Sequence, residues 1–370
     1  MSTPLPPGWP YCGHGADPVT DPVGCRGIHV PGHTACFAHL AGTDRDTYLA
    51  GLTPGAAIDH RGTPFTQDLL NQLLTALHDP HFPCLGTARF DEAQFIGDAG
   101  FSYARFIGDA SFSGAQFTGT AGFDEAQFSG TTRFEEAHFN GHAGFERTHF
   151  SGGAMFHSAQ FKGTAGFYRA QFTGPARFYS AQFTSTATFD GAQFSGDAGF
   201  VAAQFASNAT FHGVQFSGDA GLERVRFTSD ATFDRAQFTS TARFSGAQFT
   251  SDATFYGTQF SGSAFFDRAQ FLATSRWGPM VCAGTLDMSS AVFAEPVTLE
   301  IAAHEVRCVR TRWESTATVR LRHATVDLSQ AVLAAPVAVT AHPAPFTAID
   351  GGIVDESLLS SPERVRVASM

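Results

Sequence analysis

Phenylalanine recurs along this chain at spacings that alternate between five and six residues. The series begins at Phe90 and ends at Phe271, and of its 34 in-register positions only Leu222 is another residue. Alanine lies two residues before nearly all of these anchors, as Ala93 does before Phe95. Repetition at a fixed period predicts a solenoid, in which each repeat packs on its neighbours. Such a repeat specifies a framework and does not by itself specify a function.

The repeating unit suits a very short β-strand followed by a corner. Alanine and phenylalanine are two residues apart, so in an extended segment both side chains point to the same side. Glycine, serine, aspartate or asparagine lies between these segments and favours corners. A helix is disfavoured because glycine and threonine, which are poor helix formers, fill many of the remaining positions.

The residue between alanine and the anchor distinguishes a 22-residue coil, with four segments, from an 11-residue coil. One set of sites 22 apart carries Gly100, Gly122, Gly144, Gly166, Thr188, Thr210, Thr232 and Thr254. The set offset by 11 carries Arg89, Ser111, Arg133, Met155, Arg177, Gly199, Gly221, Arg243 and Phe265. Because the two sets differ, we predict 22-residue coils in which Phe90, Phe112 and Phe134 stack on one side.

These residues resemble the pentapeptide repeat family over roughly residues 86 to 275. In that family a central leucine or phenylalanine and a small residue two positions earlier fill the core. The resemblance implies an all-β solenoid, a right-handed quadrilateral β-helix. The chain departs from the family pattern by the six-residue step on alternate sides.

Beyond Phe271 a 20-residue period takes over, as the even spacing of Phe293, Trp313 and Leu333 shows. We interpret this as further coils with longer strands. Residues 343–370 are rich in proline, alanine and serine and indicate a tail, in which Arg364–Val367 could form a further strand. The predicted boundaries are 1–85 for an N-terminal capping module, 86–275 for 22-residue coils, 276–342 for 20-residue coils and 343–370 for the tail.

The N-terminal module is different in kind and contains a leucine-rich segment. Thr66 can cap the start of a helix, and Pro80 lies just past its end. The apolar face of that helix carries Leu69, Leu70, Leu73, Leu74 and Leu77. Since the end of a solenoid exposes its core, we expect this helix to cover the first coil near Phe90. A shorter helix is predicted from Asp44 to about Leu52.

Cysteine and histidine are concentrated between residues 12 and 39. Thiolate and imidazole are zinc ligands. A segment with few apolar residues cannot form a stable core and needs a cross-link such as a bound metal to hold it together. The preferred ligand set is Cys12, Cys25, Cys36 and His39, with His14 as a substitute. Such a closed site would be structural and would bind one zinc ion. The alternative is that these are ordinary reduced cysteines and solvated histidines.

No catalytic motif is present: the sequence contains no P-loop, GxGxxG, GxSxG or HExxH pattern. The histidines and paired carboxylates of the repeats fall at corners that face water. A phenylalanine and alanine interior leaves no concave pocket for convergent polar groups. We therefore predict that the protein is not an enzyme.

Charge and composition exclude other classes. The net charge is −11 over 370 residues, and residues 86–275 hold 17 acidic against 12 basic side chains. This is not the clustered positive charge of a nucleic-acid-binding protein. No apolar run reaches the length of a membrane span, and no signal peptide is visible. The expected location is the cytoplasm, with cysteines reduced.

Two functions are consistent with these features. The first is a non-enzymatic scaffold that binds a protein partner. Its predicted docking strip is the glycine row Gly100, Gly122, Gly144 and Gly166, because no side chain there obstructs a close approach. The alternative for that strip is packing by the N-terminal module. The second function is implied by the resemblance alone: some pentapeptide repeat proteins mimic duplex DNA and bind DNA gyrase, which they protect from inhibitors.

Overall fold

The rings of Phe90, Phe112 and Phe134 form one column in the computed structural model, which describes residues 5–347, 354–359 and 365–369. Neighbouring rings in the column are 5.2 and 4.9 Å apart and lie within 14° of parallel. Phe90 also meets Phe101, but edge-on, at 5.7 Å and 66°. The prediction of a 22-residue coil is confirmed, since an 11-residue coil would stack Phe90 on Phe101.

Two compact units make up the chain, and each is a parallel β-solenoid. The first comprises Met1–Gly166 and Phe172–Gly174, and the second comprises Phe167–Gln171 and Pro175–Met370. The described residues contain two α-helices, α1 (Gly42–Ala50) and α2 (Gln67–Ala76), and a 3-10 turn at Phe37–His39. All three lie in the first unit.

The first unit has four faces, each a ladder of short parallel strands. Face 1 contains Ile58–Asp59, Ala88–Arg89, Ala110–Ser111, Thr132–Arg133 and Ala154–Met155. Face 2 contains Pro64–Thr66, Gln94–Ile96, Gln116–Phe117, His138–Phe139 and Gln160–Phe161. Face 3 contains Ala99–Gly100, Ala121–Gly122, Ala143–Gly144 and Ala165–Gly166. Face 4 contains Phe82–Leu85, Arg105–Phe106, Gln127–Phe128 and His149–Phe150. His78–Asp79 pairs antiparallel with Phe82–Leu85.

Two kinds of corner join the faces. The five-residue corners close as β-turns, in which the N–H of Ala93 donates to the carbonyl of Phe90 and Glu92 takes a φ of 55°. The six-residue corners bring the backbones of successive coils together. A Cβ atom on Gly141 would lie 2.4 Å from the carbonyl oxygen of Gly119. Glycine recurs at these corners because the space between the coils is tight, and serine takes the equivalent position at other corners, as at Ser229 and Ser240.

Coiling begins at Ile58, earlier than the boundary predicted at residue 86. His60 and Phe65 occupy anchor positions, and Phe65 stacks on Phe95 at 5.4 Å. Helix α2 follows Phe65, and its start is capped by Thr66, whose hydroxyl accepts the N–H of Leu69. Its leucines are buried, and the helix contacts the strand Ala99–Gly100. The prediction that a leucine helix covers the first coil is therefore confirmed.

The second unit continues the same pattern in four ladders of its own. Face 1 contains Ala176–Arg177, Ala198–Gly199, Ala220–Gly221, Ala242–Arg243 and Ala264–Phe265. Face 2 contains Gln182–Phe183, Gln204–Phe205, Arg226–Phe227, Gln248–Phe249, Gln270–Phe271, Val292–Phe293, Arg312–Trp313 and Val332–Leu333. Face 3 contains Ala187–Thr188, Ala209–Thr210, Ala231–Thr232 and Ala253–Thr254. Face 4 contains Gln193–Phe194, Gln215–Phe216, Gln237–Phe238 and Gln259–Phe260. The later strands are Ser275–Asp287, Val297–Arg307, Ala317–Arg322, Thr325–Asp327, Val337–Ala341 and Arg366–Ser369.

The change of period occurs within the strand Ser275–Asp287. Ser275 pairs with Val297, which keeps the 22-residue spacing, whereas Thr285 pairs with Glu305, which has the 20-residue spacing. The register shifts twice, between Trp277 and Met280 and between Cys282 and Thr285. The predicted switch from a 22-residue to a 20-residue coil is confirmed, and two local bulges in one strand produce it.

The region predicted as a tail packs against the second unit where it is described. Phe346 is buried with Val281 and Ala302, and Val354 and Leu359 pack on this cluster. The strand Arg366–Ser369 pairs with Thr325–Asp327, which confirms a strand near the predicted position. Arg364, the first residue of the predicted strand, lies outside the described residues.

A partly buried ion pair also holds this region in place. The carboxylate of Glu356 accepts hydrogen bonds from the guanidinium of Arg322 at 2.6 and 2.9 Å. His323 lies 3.0 Å from the same carboxylate. Apolar contacts and a bidentate ion pair therefore hold the described segments of the predicted tail.

Candidate metal centre

Cys12, Cys25, Cys36 and His39 converge in the first unit. Their four ligand atoms all lie within 4.8 Å of one another. The Sγ atoms of Cys25 and Cys36 are 3.7 Å apart, and the Nδ1 atom of His39 lies 3.3 Å from the sulfur of Cys36 and 3.5 Å from that of Cys12. The preferred set of ligands predicted from the sequence is thus brought together, and this cluster could hold a metal ion.

Local backbone structure explains how two of the ligands meet. The 3-10 turn Phe37–His39 begins directly after Cys36, and the N–H groups of His39 and Leu40 donate to the carbonyl of Cys36. The turn therefore places Cys36 and His39 on the same side. Phe37, between them, is buried and packs on Tyr48 and Phe65, which anchors the turn to the first coil.

The other two ligands come from facing segments of one loop. Cys12 donates its N–H to the carbonyl of Gly27, and Cys25 donates its N–H to that of His14. The glycines beside the two cysteines, Gly13 and Gly24, have φ of 64° and 63°, so each cysteine lies at a sharp turn of the backbone. In the sequence, the dipeptides Cys12-Gly13 and Gly24-Cys25 were a local signal for these two turns. The repeat period carries no information about them.

Electrostatics distinguish the two neighbouring thiols. The hydrogen bond between the two sulfur atoms lowers the pKa of Cys25 below that of a free thiol. The same hydrogen bond, together with burial, raises the pKa of Cys36. This arrangement favours the thiolate form of Cys25, the form that binds cations, over that of Cys36.

The remaining histidines of the segment do not join the cluster. His14, the predicted substitute ligand, stacks its ring on that of His39 at 4.1 Å and 25°. His29 hydrogen-bonds through Nε2 to the carbonyl of Tyr11 at 2.8 Å, and His33 lies 3.7 Å from the carboxylate of Asp44. His14 thus supports the ring of a ligand, and the other two fix the loop.

The three other cysteines are isolated and buried. Cys84, Cys282 and Cys308 are each less than 9% exposed and form no disulfide. Burial raises the pKa of Cys282 and of Cys308 to about 12. These two thiols are therefore inert as metal ligands and nucleophiles at neutral pH.

An open groove of about 860 Å³ lies in the same unit, between the N-terminal module and the corner that joins faces 1 and 2. The module contributes Trp9 and Arg26, and the corner contributes the charged and polar residues Arg61, Arg89, Asp91, Glu92, Gln94, Ser111, Ser113, Gln116, Arg133, Glu135, Glu136 and His138. The expectation of no concave pocket was made for the phenylalanine and alanine repeats, whereas this groove also involves the N-terminal module. The groove forms because the N-terminal module rises beside the repeats and supplies a second wall.

The groove wall is built by specific contacts of Trp9. Its indole N–H donates to the carbonyl of Arg26 at 2.9 Å, and the guanidinium of Arg61 lies 4.9 Å from the centre of a Trp9 ring. Arg61 also forms a bidentate pair with Asp59, at 2.7 to 3.1 Å. Nothing in the sequence pattern indicated that Trp9 and Arg61 would meet.

The predicted glycine strip is partly covered. Gly100 is exposed, but Gly144 and Gly166 are buried. A Cβ atom on Gly144 would lie 2.7 Å from a carboxylate oxygen of Asp124, and one on Gly166 would lie within 3.7 Å of Glu146 and His142. The expectation of a bare strip is wrong, because long corner side chains fold over the glycines. Whether a partner uses the strip is a separate question.

Among the described helices, none has the length and apolar character required to cross a bilayer.

Comparison with known proteins identifies the repeats. No curated protein matches the chain. The family model described as pentapeptide repeats, nine copies long, matches residues 81–127, 123–171, 156–204, 178–226, 211–259 and 222–270. These matches span 81 to 270, just over half of the 370 residues. Together with the stacked four-faced coils, they show that the chain belongs to the pentapeptide repeat family.

Proposed function

We propose that the protein is a non-enzymatic scaffold that binds a protein partner, with its N-terminal module held by one structural zinc ion. The observation that most supports partner binding is the groove between that module and the corner of faces 1 and 2, where charged side chains converge. In the 22-residue coils the interior phenylalanine and alanine residues are at most 2% exposed, as at Phe134 and Ala165. Binding chemistry is therefore confined to surfaces.

The distances within the cluster favour zinc. Tetrahedral zinc with bonds of about 2.3 Å to sulfur and about 2.0 Å to nitrogen requires sulfur atoms about 3.8 Å apart and sulfur–nitrogen separations of about 3.5 Å. The corresponding distances are 3.7 Å between Cys25 and Cys36 and 3.3 and 3.5 Å around His39. Three thiolates and one imidazole suit zinc better than magnesium or calcium, which prefer oxygen. Four protein ligands leave no open position, so the role is structural.

The groove is the preferred docking surface because several of its charged side chains have no ion-pair partner among the described residues. Within the described residues, Arg89, Glu92 and Glu136 take part in no ion pair, whereas Arg61 and Arg133 are paired with Asp59 and Asp109. Glu92 and Glu136 stand two coils apart at equivalent corners, roughly 10 Å from one another. A partner surface with basic side chains at that spacing complements this edge of the groove, and an acidic group complements Arg89.

The gyrase alternative requires dense negative charge along one face. Arginines one coil away neutralise several of the carboxylates in this chain: Arg133 pairs with Asp109, Arg147 with Glu125 and Arg243 with Asp219. This neutralisation favours a protein scaffold over a mimic of DNA. A supercoiling assay of DNA gyrase, with and without a quinolone, separates the two. Inhibition or drug protection at micromolar protein would favour the DNA mimic.

Cross-linking of the purified protein in lysate of the source cell, followed by binding of the purified candidate, tests the scaffold. The variant Glu92→Lys with Glu136→Lys should weaken that binding at least tenfold, since two favourable charge contacts become repulsive. Glu125→Lys is the matched control, because Glu125 shares the same backbone conformation at a corner outside the groove. Equal binding by all three proteins would exclude the groove.

A further inference from the structure

Cys25 is a half-exposed member of the metal cluster that opens onto a cavity. It lines an open cavity of about 600 Å³ together with His14, Thr20, Asp21 and Arg26. Cys36, its nearest sulfur neighbour, is buried. A small polar oxidant can therefore reach Cys25 from the cavity, whereas Cys36 is shielded behind it.

The geometry of this pair suits a two-step oxidation. The two sulfur atoms are 3.7 Å apart, which makes them neighbours without being bonded, since a disulfide is about 2.05 Å long. Cys12 and His39, which are also half-exposed, do not line the cavity. The remaining cysteines of the chain are buried away from the cluster.

We propose that Cys25 is a site of reversible oxidation by hydrogen peroxide, with Cys36 as the resolving thiol and release of the bound metal as the outcome. The inference rests on the proposed zinc site for its metal-release step. In this proposal the zinc site responds to oxidants in addition to its structural role.

The chemistry balances in two displacements. The Cys25 thiolate attacks one peroxide oxygen, a sulfur–oxygen bond forms, the oxygen–oxygen bond breaks, and hydroxide leaves and takes up a proton to become water. The sulfur of Cys36 then attacks the sulfur of the Cys25 sulfenic acid, forming the disulfide and expelling a second hydroxide, which takes up the proton that Cys36 loses. Two cysteines are oxidised, one peroxide is reduced to two waters, and the metal loses two ligands.

Oxidation at Cys25 also changes the wall of the docking groove. Arg26, the next residue, accepts the indole N–H of Trp9 through its carbonyl, and its guanidinium donates to the carbonyl of Leu5. Loss of the metal frees the loop that holds Arg26, so Trp9 loses its support. Trp277 and Trp313 are buried in the second unit, so a change in tryptophan emission reports on Trp9.

The test treats the protein, as purified, with one to ten equivalents of hydrogen peroxide. Zinc release is followed with a chromogenic chelator, and the disulfide is located by differential alkylation and peptide mass mapping. We expect about one zinc released per chain, two thiols lost, a Cys25–Cys36 linkage, and recovery with dithiothreitol and added zinc. Retention of zinc at ten equivalents, or a linkage that omits Cys25, would overturn the proposal.

Two variants sharpen the result. Cys25→His keeps a metal ligand that peroxide does not oxidise, and should hold zinc through the treatment. Cys84→Ser removes a buried cysteine outside the cluster and should respond like the wild type. Protein that carries no zinc as purified, yet still forms the Cys25–Cys36 disulfide, contradicts the structural zinc site and supports the oxidation site. Zinc-loaded protein that resists peroxide supports the zinc site and contradicts the oxidation site.

Discussion

The ring of His60 lies over the ring of Phe90, with centroids 6.2 Å apart and planes 29° from parallel. The phenylalanine column of face 1 in the first unit thus begins with a histidine. Its Nε2 atom lies 3.2 Å from the hydroxyl of Tyr48, and its Nδ1 atom has no hydrogen-bond partner in the described part of the chain. Burial lowers the pKa of His60 to about 4, against a smaller opposing effect of Asp59.

This histidine should make stability depend on pH. In the unfolded chain the pKa of His60 is about 6.5, so between pH 6.5 and pH 4 the unfolded state binds more protons than the folded state. The free energy of unfolding should therefore be highest above pH 6.5 and fall by about 3 kcal/mol as the pH drops to 4. Urea unfolding of wild type and His60→Phe at pH 7 and pH 4.5 measures the effect. The variant should lose less stability on acidification, while His212→Asn, at an exposed position, should match the wild type.

Metal removal should loosen the N-terminal module without unfolding the repeats. The cluster joins the 3-10 turn to the loop that carries Cys12 and Cys25, whereas the ladders are held by their own core. Metal analysis should find about one zinc per chain in wild type and in Cys84→Ser, and none in Cys36→Ser. Chelation should shift the tryptophan emission while the far-ultraviolet circular dichroism of the β-structure persists. Metal-free protein with an unchanged emission spectrum would argue against the site.

Two adjacent residues test which side chains face the core. Phe161 is 1% exposed and stacks on Phe139 at 4.8 Å, whereas Gln160 points outward and is half-exposed. Phe161→Ala should lower the free energy of unfolding by about 3–5 kcal/mol, since it leaves a cavity in a packed column. Gln160→Ala should cost about 0.5 kcal/mol or less. Denaturant titration of both variants measures the difference, and equal losses would contradict the assignment.

The glycines of face 3 should tolerate a side chain unequally. Asp124 covers Gly144 and accepts the N–H of Glu146 at 2.8 Å. Gly144→Ala must displace that carboxylate, so it should cost about 1 kcal/mol through the lost hydrogen bond. A Cβ atom on Gly100 would meet open space, so Gly100→Ala should be neutral or stabilise by about 0.5 kcal/mol. Thermal unfolding compares the two, and an equal cost at both sites would mean that Asp124 moves freely.

Sequence periodicity was sufficient to predict the ladders because each coil packs only on its neighbours. The 22-residue spacing of Phe90, Phe112 and Phe134 indicated their stacking directly, and the 20-residue spacing of Phe293 and Trp313 did the same. Cysteine and histidine chemistry likewise predicted the four ligands of the candidate metal centre. It did not predict that the ring of His14 would stack on a ligand and leave the donor set.

The remaining features depend on contacts between residues far apart in sequence, which no local pattern encodes. His60 and Phe65 lie outside the regular spacing because α2 interrupts the first coil, so only their stacking on Phe90 and Phe95 reveals them as anchors. The groove exists because Trp9 and Arg61, which lie far apart in sequence, come into contact. Sequence alone determined the repeat length and the candidate ligands, because both arise from residue type and local spacing. Tertiary structure decided where the first coil begins, which glycines are covered and what forms the second wall of the groove, because those outcomes depend on how separate segments pack.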